Sequence, residues 1–420
     1  MKDKLLEMFF DIERWTKAIE KGVGKDIRKD QLIKLCDEKT RVAMYVAMRD
    51  GKYQIAPPHT AQIPKDTSGE FRTVYINEPM DRVVLSIAND LLFETCKDMV
   101  HPACKSYQTG IGCGKVVKEA SRMICDSKKG IYGFKADLSK YFDSVPLKFI
   151  DNMFDEVEKR HGKSKLIKVL RDYYHCDLYF NDDNNLQSKY QSLKQGCAVA
   201  SWLADTVLYE LDEKMTKLGG FYVRYSDDIL FIGENYDKAM VILAEHLSLM
   251  EMQLNPKKVE YLSSDLWFKF LGYSIKGKDI SISSTRIKTF QKEIEKRTIK
   301  DRTQTYKKAV NRVNRYLYKG DGKHSWATQI LPVCNVVRDL NELNKFVMDC
   351  LRAVQTGKRK VGGLGYVKTQ KNGCVARGTG RNVKANRGKI DKIEGYMTIS
   401  CMRNALLTSR SVYETLVIQL

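Results

Sequence analysis

No stretch of this sequence runs for eighteen or more residues without a charge, so no segment is expected to span a membrane. Its first residues, MKDKLLEMFFDIERW, are charged every few positions and lack the apolar core of a secretion signal. Paired-cysteine motifs are missing as well. The eleven cysteines, at 36, 96, 104, 113, 125, 176, 197, 334, 350, 374 and 401, are odd in number and never spaced as CxxC. That pattern argues against a disulfide scaffold or a zinc ribbon and for reduced thiols. Six scattered histidines give no His-rich metal site. Together these absences point to a soluble protein of the cytoplasm.

Acid is the other shortage. There are 72 Lys and Arg against 52 Asp and Glu, a net charge of +20, which predicts a polyanionic partner, most simply nucleic acid. At 420 residues and 43% hydrophobic content, the chain can bury a real core and suits two or three lobes. The imbalance is concentrated: residues 351–390 hold eleven Lys or Arg, eight Gly and no Asp or Glu. With so few large apolar residues, that segment is expected to be an arm ordered on nucleic acid, with Tyr366 available for stacking.

Along the chain, residues 1 to about 50 carry apolar positions at helical spacing, as do 81–99 and 197–215, where Ala204, Leu208, Leu211 and Met215 form one stripe. A polar, Pro-containing stretch from Gln54 to Arg72 reads as turns and short strands. IYGFKADLSKYFD, 131–143, reads as a buried strand ending in a polar turn. FYVRY-SDD-ILFIG, 221–233, is two apolar runs around a three-residue polar turn, a hairpin signal. Residues 286–350 are helical and basic, with Phe290, Ile294, Val310, Val313 and Leu317 on the packing face.

The acids that are present are informative. Asp227 and Asp228 sit at the hairpin tip, and crowding two carboxylates is costly unless a cation neutralises them. Asp137 ends the earlier strand, and neighbouring strands of one sheet would bring it beside them. Such hard oxygen ligands suit Mg²⁺, and two ions could activate a 3′-hydroxyl and stabilise a pyrophosphate leaving group. The other adjacent pair, Asp182 and Asp183, lacks apolar flanks and reads as a solvated turn.

These residues carry a resemblance to reverse transcriptases. FKADLSKYFDSV resembles their motif A, SLKQGCAVASWLAD motif B, YSDD motif C, EMQLNPKKVEY motif D and FKFLGY motif E. IPKDTSGEFR and EPMDRVVL resemble fingers motifs, and CKSYQTGIGCGK resembles a stretch of group II intron enzymes. The matches keep family order from about residue 50 to 275. The resemblance implies an α+β right-hand polymerase: N-terminal helices and fingers over 1–130, a palm with an antiparallel sheet over 131–280, a helical thumb over 281–350, and a basic arm and C-terminal helix over 351–420.

Carried over by position, the resemblance implies that Asp137, Asp227, Asp228 and the Leu138 carbonyl hold two Mg²⁺ ions, with Mn²⁺ as a substitute. Lys258 would protonate the departing pyrophosphate, with Lys257 as a near competitor. Lys65 and Arg72 would hold the triphosphate, Phe142 would act as steric gate against a ribose, and Gln195 and Gly196 would lie against the nascent base pair. The plain alternative for Phe142 is core packing, and for Lys-Gln-Gly no more than a turn before a helix. Phe270, Leu271, Gly272 and Tyr273 correspond to the primer grip. On the arm, Arg352, Lys358, Arg359, Lys360, Arg377 and Arg381 are expected on phosphates.

Trp202 and Asp205 stand where group II enzymes usually have proline and asparagine, the VTG of retron enzymes is missing, and no Cys/His endonuclease motif follows. The overall pattern is most similar to bacterial unknown-group, defence-associated reverse transcriptases. That implies cDNA synthesis from dNTPs on a structured non-coding RNA in antiphage defence, with a homo-oligomer left open. Two alternatives stay open: a protein-primed or template-independent DNA polymerase of the same family, and an RNA-binding scaffold or splicing cofactor with a degenerate core.

Overall fold

The structure is a computed structural model that describes residues 2–24, 26–65, 70–108, 110–301, 305–319, 325–356, 358–360, 366–369, 375–377 and 396. The chain divides into two compact units, one built from residues 1–111 and 131–262, the other from 112–130 and 263–420.

In the first unit, four helices open the chain: Lys4–Phe9, Ile12–Lys21, Lys29–Leu35 and Glu38–Arg49. Asp3, Asp11 and Asp37 each cap a helix by accepting a main-chain N–H, satisfying donors that the first turn leaves free. A hairpin follows, β1 (His59–Lys65) and β2 (Glu70–Ile76), antiparallel with Lys65 opposite Glu70. Helix Pro79–Thr95 starts with proline at its first turn and buries Val83, Val84, Ile87, Ala88, Leu91 and Leu92.

The central sheet combines β3 (Gly133–Asp137) with three strands further along the chain. β4 (Leu178–Phe180) and β5 (Leu186–Ser188) join β1 and β2 in a sheet of order β2-β1-β4-β5. Then β6 (Phe221–Tyr225), β7 (Asp228–Ile232) and β8 (Glu260–Leu262) assemble with β3 in the order β6-β7-β3-β8, all antiparallel. Phe134 and Phe231 are directly opposed on β3 and β7, and their buried rings stack at 6.0 Å. Such a pair adds about 0.5–1.5 kcal/mol beyond the area it buries. It also fixes the register, because a slip by one residue would turn every side chain to the opposite face. Helix Tyr236–Leu249 packs on β3 and β7, and helix Tyr209–Lys217 on β6. The anticipated stripe of Ala204, Leu208, Leu211 and Met215 is buried, although the helix breaks between Val199–Thr206 and Tyr209–Lys217.

The second unit pairs helix Cys113–Cys125 with an antiparallel sheet of β9 (Phe268–Phe270), β10 (Tyr273–Lys276) and β11 (Asp279–Ile282). Helices Ser284–Arg297, Tyr306–Asn314 and Val337–Thr356 then pack together, burying Phe290, Ile294, Val310, Val313 and Leu317, the face read from the sequence. The boundary expected at 351 falls inside a helix. Helix Val337–Thr356 runs on through Arg352, because LRAVQT keeps helical spacing, with Leu351 buried. Beyond it, short antiparallel strands are described: β12 (Lys358–Lys360), β13 (Tyr366–Thr369) and β14 (Val375–Arg377). Among the described residues no helix is long and apolar enough to cross a membrane.

Candidate active site

β3 and β7 lie side by side, so that the last residue of one, Asp137, is opposite the first residue of the other, Asp228. The hairpin turn is therefore two residues, Ser226 and Asp227, and Asp228 already belongs to β7, paired with Tyr225. This corrects the three-residue turn read from the sequence. The order in the chain places one carboxylate on β3, one on the turn and one on β7, at the same end of the sheet. The Leu138 N–H donates to the Asp227 carbonyl at 3.1 Å, which ties the end of β3 to the turn.

The electrostatics follow from that crowding. Burial raises the Asp227 carboxyl above its ordinary range, and the charge of Asp137 raises it further, while Lys258 and Arg72 pull it down. Burial pushes Asp228 to about 6; Lys135, 4.0 Å away, opposes this, and the charges of Asp227 and Asp137 reinforce it. Asp137 has a direct cation partner, the Lys258 ammonium, which donates to its carboxylate at 2.8 Å. The Lys258 side chain is 52% exposed. A flexible lysine half in solvent can leave without unfolding anything. Among the described residues there is no preformed cage of three or more acidic, His or Cys side chains. What stands here is a set of oxygen donors whose mutual repulsion favours a divalent cation, with one lysine as a removable counter-charge.

The remaining expected positions fall into two groups. In the first unit, Arg72 lies on β2 and its charge acts on Asp227, and the motif B pair lies against the same strand. The Gln195 carbonyl accepts the Tyr75 N–H at 2.7 Å, so motif B is stitched to β2. Gly196 has φ +109, and a Cβ there would lie 2.7 Å from the Tyr75 carbonyl oxygen. Glycine is thus required by the approach of β2, a different neighbour from the base pair inferred from sequence. Lys65 ends β1 and faces Glu70 at 3.5 Å. Phe142 lies on the short helix Tyr141–Ser144, half-buried, with its ring edge-on to Tyr141 and its carbonyl accepting the Leu193 N–H.

The others belong to the second unit. Phe270 and Tyr273 are buried partners across the β9–β10 turn, and Leu271 and Gly272 form the turn itself with φ +48 and +79. The turn is clamped. The Arg286 guanidinium stacks on the Tyr273 ring and donates to the Leu271 carbonyl, and it occupies the space where a Cβ on Gly272 would be. Arg352 is buried within a helix, 3.7 Å from Asp349, which corrects its placement on an exposed arm. Lys358, Arg359 and Lys360 lie in β12 and Arg377 in β14; Arg381 lies outside the described residues.

Sequence reading missed the polar structure beneath the hairpin. Arg224 has no exposed surface, and it forms a two-pronged ion pair with Asp212, itself fully buried. Tyr222 donates to the same carboxylate at 2.6 Å, and Arg224 also donates to the carbonyls of Ala204 and Asp205. An arginine inside the apolar run FYVRY was the signal, since a buried guanidinium requires a carboxylate partner. Lys194 is another: 1% exposed, it donates to the Cys176 carbonyl and Gln191, and burial lowers it to about 8.

Residues 63–275, just over half of the chain, match the reverse transcriptase (RNA-dependent DNA polymerase) family. A curated relative, a COX1/OXI3 intron 2 protein of Saccharomyces cerevisiae, is 24% identical over 164 residues, covering 38% of this chain and 18% of its own length. Among solved structures, apo telomerase of Candida tropicalis is similar at 14% identity and a TM-score of 0.45, over 73% of this chain and 58% of that one. Telomerase of Candida albicans with a fragment of telomeric RNA is similar at 10% identity and a TM-score of 0.40, over 73% and 60%. The chain spans less than two thirds of each of these proteins. The expected α+β, right-hand polymerase class agrees with the family match and with the mixed helix-and-sheet architecture. The site residues from Lys65 to Tyr273 fall inside the matched span, and the chain belongs to the reverse transcriptase family.

Proposed function

We propose that this protein is an RNA-templated DNA polymerase, making cDNA from dNTPs on a structured RNA. The observation that carries the reading is the register that sets Asp137 opposite Asp228, with Asp227 on the adjoining turn. Asp137, Asp227, Asp228 and the Leu138 carbonyl would hold two Mg²⁺ ions, or Mn²⁺ in their place. Bound there, the ions would supply Lewis-acid activation of the attacking 3′-hydroxyl and neutralise the leaving pyrophosphate. Arg72 and Lys65, on the β1–β2 hairpin, would hold the triphosphate by its charge. Phe142 would close the pocket under the sugar and exclude a 2′-hydroxyl. Lys258, released from Asp137 once that carboxylate is otherwise neutralised, would carry a proton to the pyrophosphate.

The fingers would lie within 1–130, the palm within 131–280 and the thumb within 281–350. The β9–β10 turn would grip the primer, and the basic residues of 351–420 would track phosphates. The setting we infer is antiphage defence in the bacterial cytoplasm, on a dedicated non-coding RNA. Its support is the sequence resemblance, with Trp202 and Asp205 in place of the usual residues of group II enzymes.

The test is primer extension by purified protein with RNA template, Mg²⁺ and dNTPs. Wild type is expected to make cDNA; the double variant Asp227→Ala/Asp228→Ala is expected to bind the RNA and make none. Retained synthesis in that variant removes the carboxylates from the mechanism.

A further inference from the structure

Ser226, the first residue of the catalytic turn, has φ +58. A two-residue hairpin turn of this kind usually places glycine at that position, because an L side chain is disfavoured there. Something must hold serine in place. The Ser226 N–H donates to the Ser106 Oγ at 2.9 Å, and the Ser106 hydroxyl donates in turn to the Asp205 carboxylate at 2.5 Å. The second Asp205 oxygen accepts from Gln108 at 3.3 Å. On the other side of the residue, the Ser226 carbonyl accepts from Arg224 at 3.4 Å.

The chain path explains how Ser106 arrives there. Residues 103–106 run alongside β6: the Arg224 N–H donates to the Ala103 carbonyl, and the Lys105 N–H donates to the Arg224 carbonyl. This pairing sets Ser106 level with Ser226. Ser106 and Asp205 have no exposed surface, so neither is open to nucleotide or solvent. The Ser106 hydroxyl faces the main chain of the turn, and the Asp205 carboxylate faces that hydroxyl.

We propose that Ser106, oriented by Asp205, is a positioning residue for the polymerase reaction: it locks Ser226 in the left-handed conformation that aims the carboxylates of Asp227 and Asp228. The inference rests on the reading of those carboxylates as catalytic. A serine that only filled space would be replaceable by alanine without effect on the geometry of the turn. A serine that holds a strained residue becomes dispensable once the strain is removed. Glycine at 226 removes it, since glycine enters this conformation without a steric penalty.

The test compares wild type, Ser106→Ala, Ser226→Gly and the double variant Ser106→Ala/Ser226→Gly in single-nucleotide addition, with RNA affinity and melting temperature measured alongside. Ser106→Ala is expected to lower kcat by about 10- to 100-fold, the scale of an ångström-level misplacement, with RNA affinity unchanged. The double variant is expected to recover at least about fivefold of that loss, as removal of a left-handed penalty allows. Activity of Ser106→Ala within about twofold of wild type, or a double variant no more active than Ser106→Ala, overturns the proposal. Should Ser106→Ala not fold, amide hydrogen exchange of the wild-type protein decides. The lock requires the Ser226 N–H to exchange as slowly as the amides of β6, and fast exchange at that one site overturns it. Wild-type protein that adds no nucleotide counts against the polymerase reading instead, and hydrogen exchange then still judges the lock.

Discussion

Replacing Asp228 with asparagine should make the protein more stable in the absence of divalent metal, while abolishing synthesis. Burial, reinforced by the charges of Asp227 and Asp137, moves the Asp228 carboxyl from its ordinary 3.8 to about 6. An acid whose folded-state pKa is raised favours folding when protonated, and the ionised form costs stability as pH rises from about 4 through about 6. At pH 7.5 the full disadvantage corresponds to about 3 kcal/mol. The side chain keeps 29% of its exposure, and solvent and relaxation reduce the effect in unfolding to about 1–2 kcal/mol. For a unit of this size that is a rise in Tm of about 2–8 °C.

The assay is thermal unfolding with EDTA at pH 7.5 and at pH 4.5. Asp228→Asn is expected to melt higher at pH 7.5, with the gap narrowed to about a third at pH 4.5, where the folded wild-type carboxyl is protonated. Mg²⁺ should raise the Tm of the wild type more than that of the variant, because it binds the ionised carboxylates, and its affinity should fall below about pH 6. A variant that melts at or below wild type in EDTA at pH 7.5 would refute the claim that these carboxylates are held together at a cost.

Three further outcomes follow from named contacts. Lys258→Met should lower kcat for nucleotide addition at least tenfold with little change in KM for dNTP, as loss of a proton donor does; an equal rise in KM alone would show that the lysine only binds. Phe142→Ala should raise incorporation of ribonucleotides relative to deoxyribonucleotides by tenfold or more in competition assays, and an unchanged ratio would return Phe142 to core packing. Arg224→Met leaves the buried Asp212 carboxylate without its cation and should destabilise by about 3–5 kcal/mol in denaturant unfolding. A loss under about 1 kcal/mol would mean that water reaches the pair.

The strands that carry the carboxylates were legible because their signals are local, although the turn is one residue shorter than the polar run suggested. β3 and β7 are apolar runs, each bounded by an aspartate, and the apolar stripe of 197–215 predicted the buried face of the helices behind them. What pairs with what was far less legible. Asp205 meets Ser106 across 99 residues and Ser226 meets Ser106 across 120, and neither serine differs in sequence from a solvated one. Arg224 was hidden because hydropathy treats an isolated charge in a strand as an interruption, whereas Asp212 and Tyr222 make it part of the core. The arm boundary was misplaced for a related reason: loss of acidic residues begins at 351, but helical packing of Leu351 and Arg352 does not end there. Gly196 was singled out for the nascent base pair, whereas the constraint the folded chain shows on it, the close approach of Tyr75, has no signal in the sequence.

The most direct measurement is anomalous diffraction from crystals soaked with Mn²⁺, template–primer and an unreactive nucleotide analogue. Two manganese peaks are expected, both coordinated by Asp137 and the Asp227–Asp228 pair, with the Lys258 ammonium displaced from Asp137. A bound nucleotide with no metal at these carboxylates, or with its metal held elsewhere, would contradict the account.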